Sequence, residues 1–209
     1  MKRFSREEMA ARVARDIPDG AYVNIGIGLP ALVGNFLPRD REILLQSENG
    51  ILGMGPAPPP GEEDPDLINA SKTHVTLLTG GAYFHHGDSF AMMRGGHLDY
   101  CVMGAFQVSE SGDLANWHTG AADAIPAVGG AMDLAIGAKK TFVMMEYLTK
   151  GGQAKLVSQC SYPLTGLGCV SRLYTDVATF DLTPGGVVVR EAYGITEAEL
   201  SERLEVLNL

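Results

Sequence analysis

Apolar residues fall along this chain in short runs broken by glycine, proline and acidic residues. The first segment departs from that pattern. Ser5-Arg6-Glu7-Glu8 reads as a capping box, and Met9, Val13 and Ile17 then share one helical face. Pro18-Asp19-Gly20 ends the helix, and residues 21–25 form an apolar strand. Gly26-Ile27-Gly28-Leu29-Pro30 follows, with a helix expected through Ala31, Leu32 and Val33; Pro30 suits a first turn, where its missing N–H is no loss. Residues 43–45 make the next strand. The proline-rich and acidic stretch 55–66 is a loop, too short and too central for a domain linker. Beyond it the pattern predicts strands at 75–78, 100–103 and 141–145 and helices at 89–93 and 131–136, with Gly80-Gly81 and Gly95-Gly96 as turns.

This alternation argues for an α/β fold: an open, largely parallel sheet flanked by helices. The C-terminal part changes character. Residues 170–175, 178–182 and 187–190 are β-rich, the last two joined by Thr183-Pro184-Gly185-Gly186, an antiparallel hairpin at the sheet's edge. Thr196-Glu197-Ala198-Glu199 is a second capping box, opening a terminal helix with Leu200 and Leu204 inward. No internal repeat or second domain is visible, so a single domain over 1–209 is expected.

Composition narrows the function classes. With 45% hydrophobic and 20% charged residues the chain is ordinary for a soluble globular protein. A net charge of -9 argues against nucleic acid as a partner and means that an anionic substrate must be held by local donors. No apolar run is long enough to cross a bilayer. Cys101, Cys160 and Cys169 lack C-x-x-C spacing and sit in or near apolar runs; three thiols with no signal peptide point to the cytoplasm.

The candidate chemistry centres on Leu45-Gln46-Ser47-Glu48-Asn49-Gly50-Ile51-Leu52-Gly53. A carboxylate there ends an apolar strand and precedes an Asn-Gly turn, at the kind of junction where open α/β sheets place their chemistry. An ionised carboxylate needs no base to act as a nucleophile. Gly26-Ile27-Gly28 has the look of a dinucleotide fingerprint but lacks its third glycine and the ribose-binding acid, so a nicotinamide cofactor is not expected. Those glycines instead let backbone approach backbone or ligand closely. Asn24 can donate its amide to a carboxylate or acyl oxygen, or be a satisfied strand asparagine. Gly129-Gly130 before Ala131 is either a plain helix entry or a set of N–H donors for an oxyanion. His74, His85, His86, His97 and His118 lack zinc-site spacing, so no metal is expected. His85, His86, Arg94 or Arg172 can bind a substrate carboxylate, or serve the structure. No G-x-S-x-G elbow is present.

The nine residues around Glu48 resemble the active-site signature of the class I CoA-transferases. Further matching segments include Asn24-Ile25-Gly26-Ile27-Gly28, Leu67-Ile68-Asn69-Ala70, Arg94-Gly95-Gly96-His97, Gly112-Asp113-Leu114-Ala115-Asn116-Trp117, Gly129-Gly130-Ala131-Met132-Asp133-Leu134 and Tyr162-Pro163-Leu164-Thr165-Gly166. Together they resemble the B (β) chain of bacterial 3-oxoacid CoA-transferases over nearly the whole length. Phe84-His85-His86 and Trp117-His118-Thr119-Gly120 look most like the 3-oxoadipate branch. The resemblance implies the class I CoA-transferase fold and Glu48 as a nucleophile that carries a glutamyl-CoA thioester. It also implies Asn24, Gly26, Gly28, Asn49, Gly129, Gly130 and Ala131 as substrate- and CoA-binding residues. Coenzyme A is then a substrate, with no resident cofactor. A separate A subunit is implied in a heterodimer or α2β2 assembly, with succinyl-CoA and 3-oxoadipate as substrates. An acetoacetate- or acetate-type acceptor and a non-catalytic partner subunit are the alternatives.

Overall fold

The computed structural model describes residues 3–200 except Ala122, Ala124, Ala127 and Glu197. Helix α1 (Arg6–Asp16) starts at the expected capping box: the Glu8 N–H donates to Ser5 Oγ at 3.2 Å, and the Ser5 N–H donates to Glu8 Oε2 at 2.7 Å. Strand β1 (Tyr22–Ile25) leads into the helix expected through Ala31, Leu32 and Val33, which is a 3-10 helix over Leu29–Phe36. Then come β2 (Leu44–Ser47), β3 (Ile51–Met54), β4 (Leu77–Tyr83), α2 (His86–Arg94) and β5 (Tyr100–Met103). Three short strands, β6 (Gln107–Ser109), β7 (Leu114–Ala115) and β9 (Leu156–Val157), form a small separate sheet. Helix α3 (Ala131–Gly137) precedes β8 (Lys140–Met144), and β10 (Val170–Tyr174), β11 (Ala178–Thr183) and β12 (Gly186–Ala192) follow.

The main sheet has nine strands in the order β12-β11-β10-β8-β5-β1-β2-β3-β4. Its centre, from β10 to β2, is parallel throughout. The C-terminal hairpin extends one edge as expected. A second antiparallel wing, β3 and β4, extends the other edge. The sequence pattern concealed this wing because Gly80 and Gly81, read as a turn, lie inside β4. A Cβ on Gly53 would stand 2.9 Å from Gly81 Cα, so glycines are needed where these two backbones approach.

Both faces of the parallel centre are covered, as such sheets require. Alternation along the strands divides the core: Val102, Phe142 and Met144 pack with Met9, Val13 and Ile17 of α1, whereas Cys101, Met103 and Val143 pack with Met93 and Leu134 of α2 and α3. Burial pushes the Cys101 thiol up to about 12, as expected for a core thiol. Asp16 accepts from Arg172 and from the Tyr174 hydroxyl, and Arg172 also pairs with Asp181, tying α1 to the far strands. Thr196 and Glu199 form the expected second capping box and Leu200 is buried, while Glu197 and Leu204 lie outside the described residues. Among the described residues no helix is long and apolar enough to cross a membrane.

Candidate active site

The chain leaves β1 for β2 on one side and later places β5 on the other, which makes the β1–β5 boundary a switch point of the sheet. Such boundaries open a crevice at the carboxyl ends of the strands. A cleft of about 750 Å³ lies there. Its walls come from the ends of β1, β2, β5 and β8 and from the entry to α3.

Glu48 lies on this cleft, half-buried, in the hairpin between β2 and β3. Glu48 and Asn49 are the central residues of a turn closed by the Gly50 N–H donating to the Ser47 carbonyl at 3.0 Å. Ser47 pairs with Ile51, which leaves a three-residue loop whose third position needs positive φ. Gly50 meets that need at φ 109, and a Cβ there would come within 2.1 Å of the Phe84 carbonyl oxygen. The Asn-Gly signal therefore marks a tight hairpin rather than an open loop.

A buried polar chain anchors the strand that leads to Glu48. The Asn24 amide donates to Gln46 Oε1 at 2.6 Å, the Gln46 amide donates to Ser89 Oγ, and Ser89 Oγ donates to the Ser47 carbonyl at 3.3 Å. His86 Nδ1 lies 2.9 Å from the Glu48 carbonyl oxygen, a bond that requires the Nδ1–H tautomer. Helix α2 is thus fastened to the turn at two points.

Of the residues singled out in the sequence, Asn24, Gly26, Gly28, Gly129, Gly130 and Ala131 join Glu48 around the cleft. Gly26 brings the backbone close to β5: its N–H donates to the Val102 carbonyl at 2.8 Å. Gly130 makes room for the carboxylate, since a Cβ there would stand 2.8 Å from Glu48 Oε2. Two donors are engaged elsewhere. The Asn24 amide is held by Gln46, the satisfied-asparagine alternative, and the Ala131 N–H donates to the Val128 carbonyl at 3.0 Å. Asn49 is not among the residues lining the cleft; its amide donates to the Ile68 carbonyl at 2.7 Å, so in this structure it pins the turn. His85 caps α2, Arg94 pairs with Asp133, and Arg172 is held by Asp16 and Asp181, the structural alternative for each. No group of three or more His, Cys, Asp or Glu side chains is placed to hold a metal ion among the described residues.

Arg6, Phe106, Asn116, Glu146 and Lys155 also line the cleft and were not singled out in the sequence. Arg6 pairs with Glu146 at 2.9 Å. Burial holds the Lys155 ammonium below the ordinary lysine range, and the charges of Glu146 and Asp176 partly offset that effect. A lone lysine beside the apolar pair Leu156-Val157 was the available signal, and it is a faint one.

Comparison with known proteins bears on what this site does. A family profile described as Coenzyme A transferase matches residues 6–192. The chain is 69% identical over 190 residues to the B subunit of 3-oxoadipate CoA-transferase from Pseudomonas putida, covering 91% of this chain and 89% of that one. It is 58% identical over 199 residues to the B subunit of 3-oxoadipate CoA-transferase from Acinetobacter baylyi, covering 95% and 92%. Among solved structures, an acyl-CoA transferase apoenzyme from Escherichia coli O157:H7 shares the fold at a TM-score of 0.72 and 20% identity. The match covers 94% of this chain but only 39% of that one, so the chain spans about two fifths of that enzyme's length.

Proposed function

The chain belongs to the coenzyme A transferase family, and from that premise we propose that it is the B subunit of a 3-oxoadipate CoA-transferase with Glu48 as its nucleophile. The observation that carries this reading is the position of Glu48: a half-buried carboxylate on a cleft at the carboxyl edge of the sheet, with Gly130 clearing the space beside its Oε2. The names of the relatives support the acceptor and a separate A subunit.

The chemistry suits a carboxylate. Glu48 attacks the acyl carbon of succinyl-CoA, forming an acyl-glutamyl anhydride as the C–S bond breaks and CoA leaves as thiolate. The thiolate attacks the Glu48 carbonyl, giving a glutamyl-CoA thioester and releasing succinate. The carboxylate of 3-oxoadipate then attacks the thioester, and the reverse sequence delivers 3-oxoadipyl-CoA and free Glu48. Each exchange swaps one carboxylate for another, so no outside base or oxidant is needed, and turnover is ping-pong. Each tetrahedral oxyanion calls for fixed donors, each worth about 3 kcal/mol. The Gly129-Gly130 turn, opposite Glu48, is our candidate to supply them, together with groups from the A subunit.

Intact mass of this chain, co-expressed with its A subunit and mixed with succinyl-CoA, tests the reading. A CoA-sized adduct mapped to Glu48, absent in Glu48→Gln and removed by 3-oxoadipate, is the expected result. Removal only by acetoacetate or acetate would keep the mechanism and change the acceptor. An unmodified Glu48 peptide in the intact complex would refute covalent catalysis.

A further inference from the structure

Resting on the transferase reading above, we propose that Lys155 receives the distal carboxylate of dicarboxylic acyl groups and so selects acids that carry a second charge. The cleft is electrically uneven. Glu48 follows β2 and Glu146 follows β8, with β1 and β5 between them. Three strand spacings separate those ends, about 14 Å. The anionic nucleophile therefore stands at one end of the cleft, and Arg6, Glu146 and Lys155 stand at the other.

That second group carries one positive charge more than it neutralises. Arg6 and Glu146 form their own pair at 2.9 Å. Among the described residues the Lys155 ammonium makes no hydrogen bond and no ion pair within 4.0 Å. Asp176, whose charge also reaches it, is already engaged by the Arg3 guanidinium at 3.1 Å and the Tyr147 N–H at 2.7 Å. A partly desolvated ammonium without a contacting anion is unfavourable, and an anionic ligand group relieves it. The chain's overall charge of -9 cannot attract that anion, so the attraction has to come from this one place.

In this proposal the acyl group joined to Glu48 lies along the cleft that Glu48 lines. Glu48 and Lys155 line the same cleft, so a diacid joined to Glu48 has its distal carboxylate in the space that the ammonium borders. A methyl-ended acyl group of equal length fills the same space and leaves Lys155 unpaired.

The test uses the co-expressed assembly and two acceptors of equal chain length, 3-oxoadipate and 3-oxohexanoate, which differ only in the distal carboxylate. Wild type should prefer 3-oxoadipate strongly in kcat/KM. Lys155→Met should lower kcat/KM for 3-oxoadipate by about 50-fold, as for a lost charge-assisted hydrogen bond. It should leave 3-oxohexanoate nearly unchanged, and Lys155→Arg should keep most of the preference. Equal losses on both acceptors would overturn the proposal, since they would mean that Lys155 serves the fold or the CoA phosphates. If Lys155→Met does not fold, the wild-type comparison still decides: no preference for the diacid refutes it. Wild type that forms no Glu48 adduct from succinyl-CoA would sink the transferase reading itself, an outcome read separately by mass.

Discussion

Replacing Gly130 with alanine should damage chemistry while sparing the fold. The new methyl would stand 2.8 Å from Glu48 Oε2 and 3.0 Å from Phe90 Cζ, where ordinary contact begins near 3.4 Å. The carboxylate must therefore retreat by roughly 0.6 Å. Gly130 has φ -87 and ψ 9, which any L residue can adopt, so the backbone adds no strain. The nearer obstacle is the free end of a flexible side chain, so melting temperature should change by no more than about 2 °C. Misplacing a reacting group by about 1 Å can cost 10²-fold. The expected loss in the rate of Glu48 adduct formation is thus about 10- to 100-fold, or about 1.4–2.7 kcal/mol of barrier. Quenched mass spectrometry of the co-expressed assembly with saturating succinyl-CoA reads that rate directly. Gly137→Ala is the opposite control, because its Cβ would meet the Met93 carbonyl oxygen at 2.2 Å. It should lower melting temperature and leave the rate per folded molecule unchanged. A Gly130→Ala assembly that folds and forms adduct within twofold of wild type would show that the reacting carboxylate is not held against Gly130.

Gly50→Ala combines an unfavourable positive φ with a clash against the Phe84 carbonyl, and should destabilise by at least about 3 kcal/mol in urea unfolding. Ser89→Ala leaves the Gln46 amide without its buried acceptor, and the same assay should show a loss of about 1–3 kcal/mol. Asp99 is held below the usual carboxylate range, first by its hydrogen bond from Lys139 and then by the Tyr22 N–H. Its contribution is therefore full above the unfolded value of about 3.9 and is lost as pH falls through the lower folded value. Asp99→Asn should be less stable than wild type at pH 7, with the gap closing below about pH 4; a gap that persists in acid would refute the assignment.

The sequence was most legible where local rules and tertiary demands agree. Ser5 and Glu8 cap α1 as their spacing requires, and Thr183-Pro184-Gly185-Gly186 turns the C-terminal hairpin as turn chemistry requires. Legibility failed where a residue answers a distant neighbour. Gly80 and Gly81 look like punctuation, yet they sit in a strand because Gly53 of the adjacent strand comes so near. The helix at Leu29–Phe36 is of the 3-10 kind, a distinction that periodicity cannot make over so brief a segment. At the site, Glu48, Gly26-Ile27-Gly28 and Gly129-Gly130 were visible because each belongs to a short contiguous motif. Arg6, Glu146 and Lys155 were not, because only the strand order brings the chain's beginning beside the end of β8. Asn24 could be read two ways until its partner Gln46 was located on the neighbouring strand.

The strand order also bears on how the chain can be put together as it is synthesised. Starting from β1, the strands β2, β3 and β4 are laid down in succession on one side. Then β5, β8, β10, β11 and β12 follow in succession on the other. Each strand of the main sheet after the first can thus dock on an edge already made, and none has to be threaded between two finished neighbours. A chain emerging at about 5–20 residues per second can extend its sheet in the order of its message. The hairpin bearing Glu48 can form early, whereas Gly130 beside its carboxylate, and Glu146 and Lys155 farther along the cleft, are made only later.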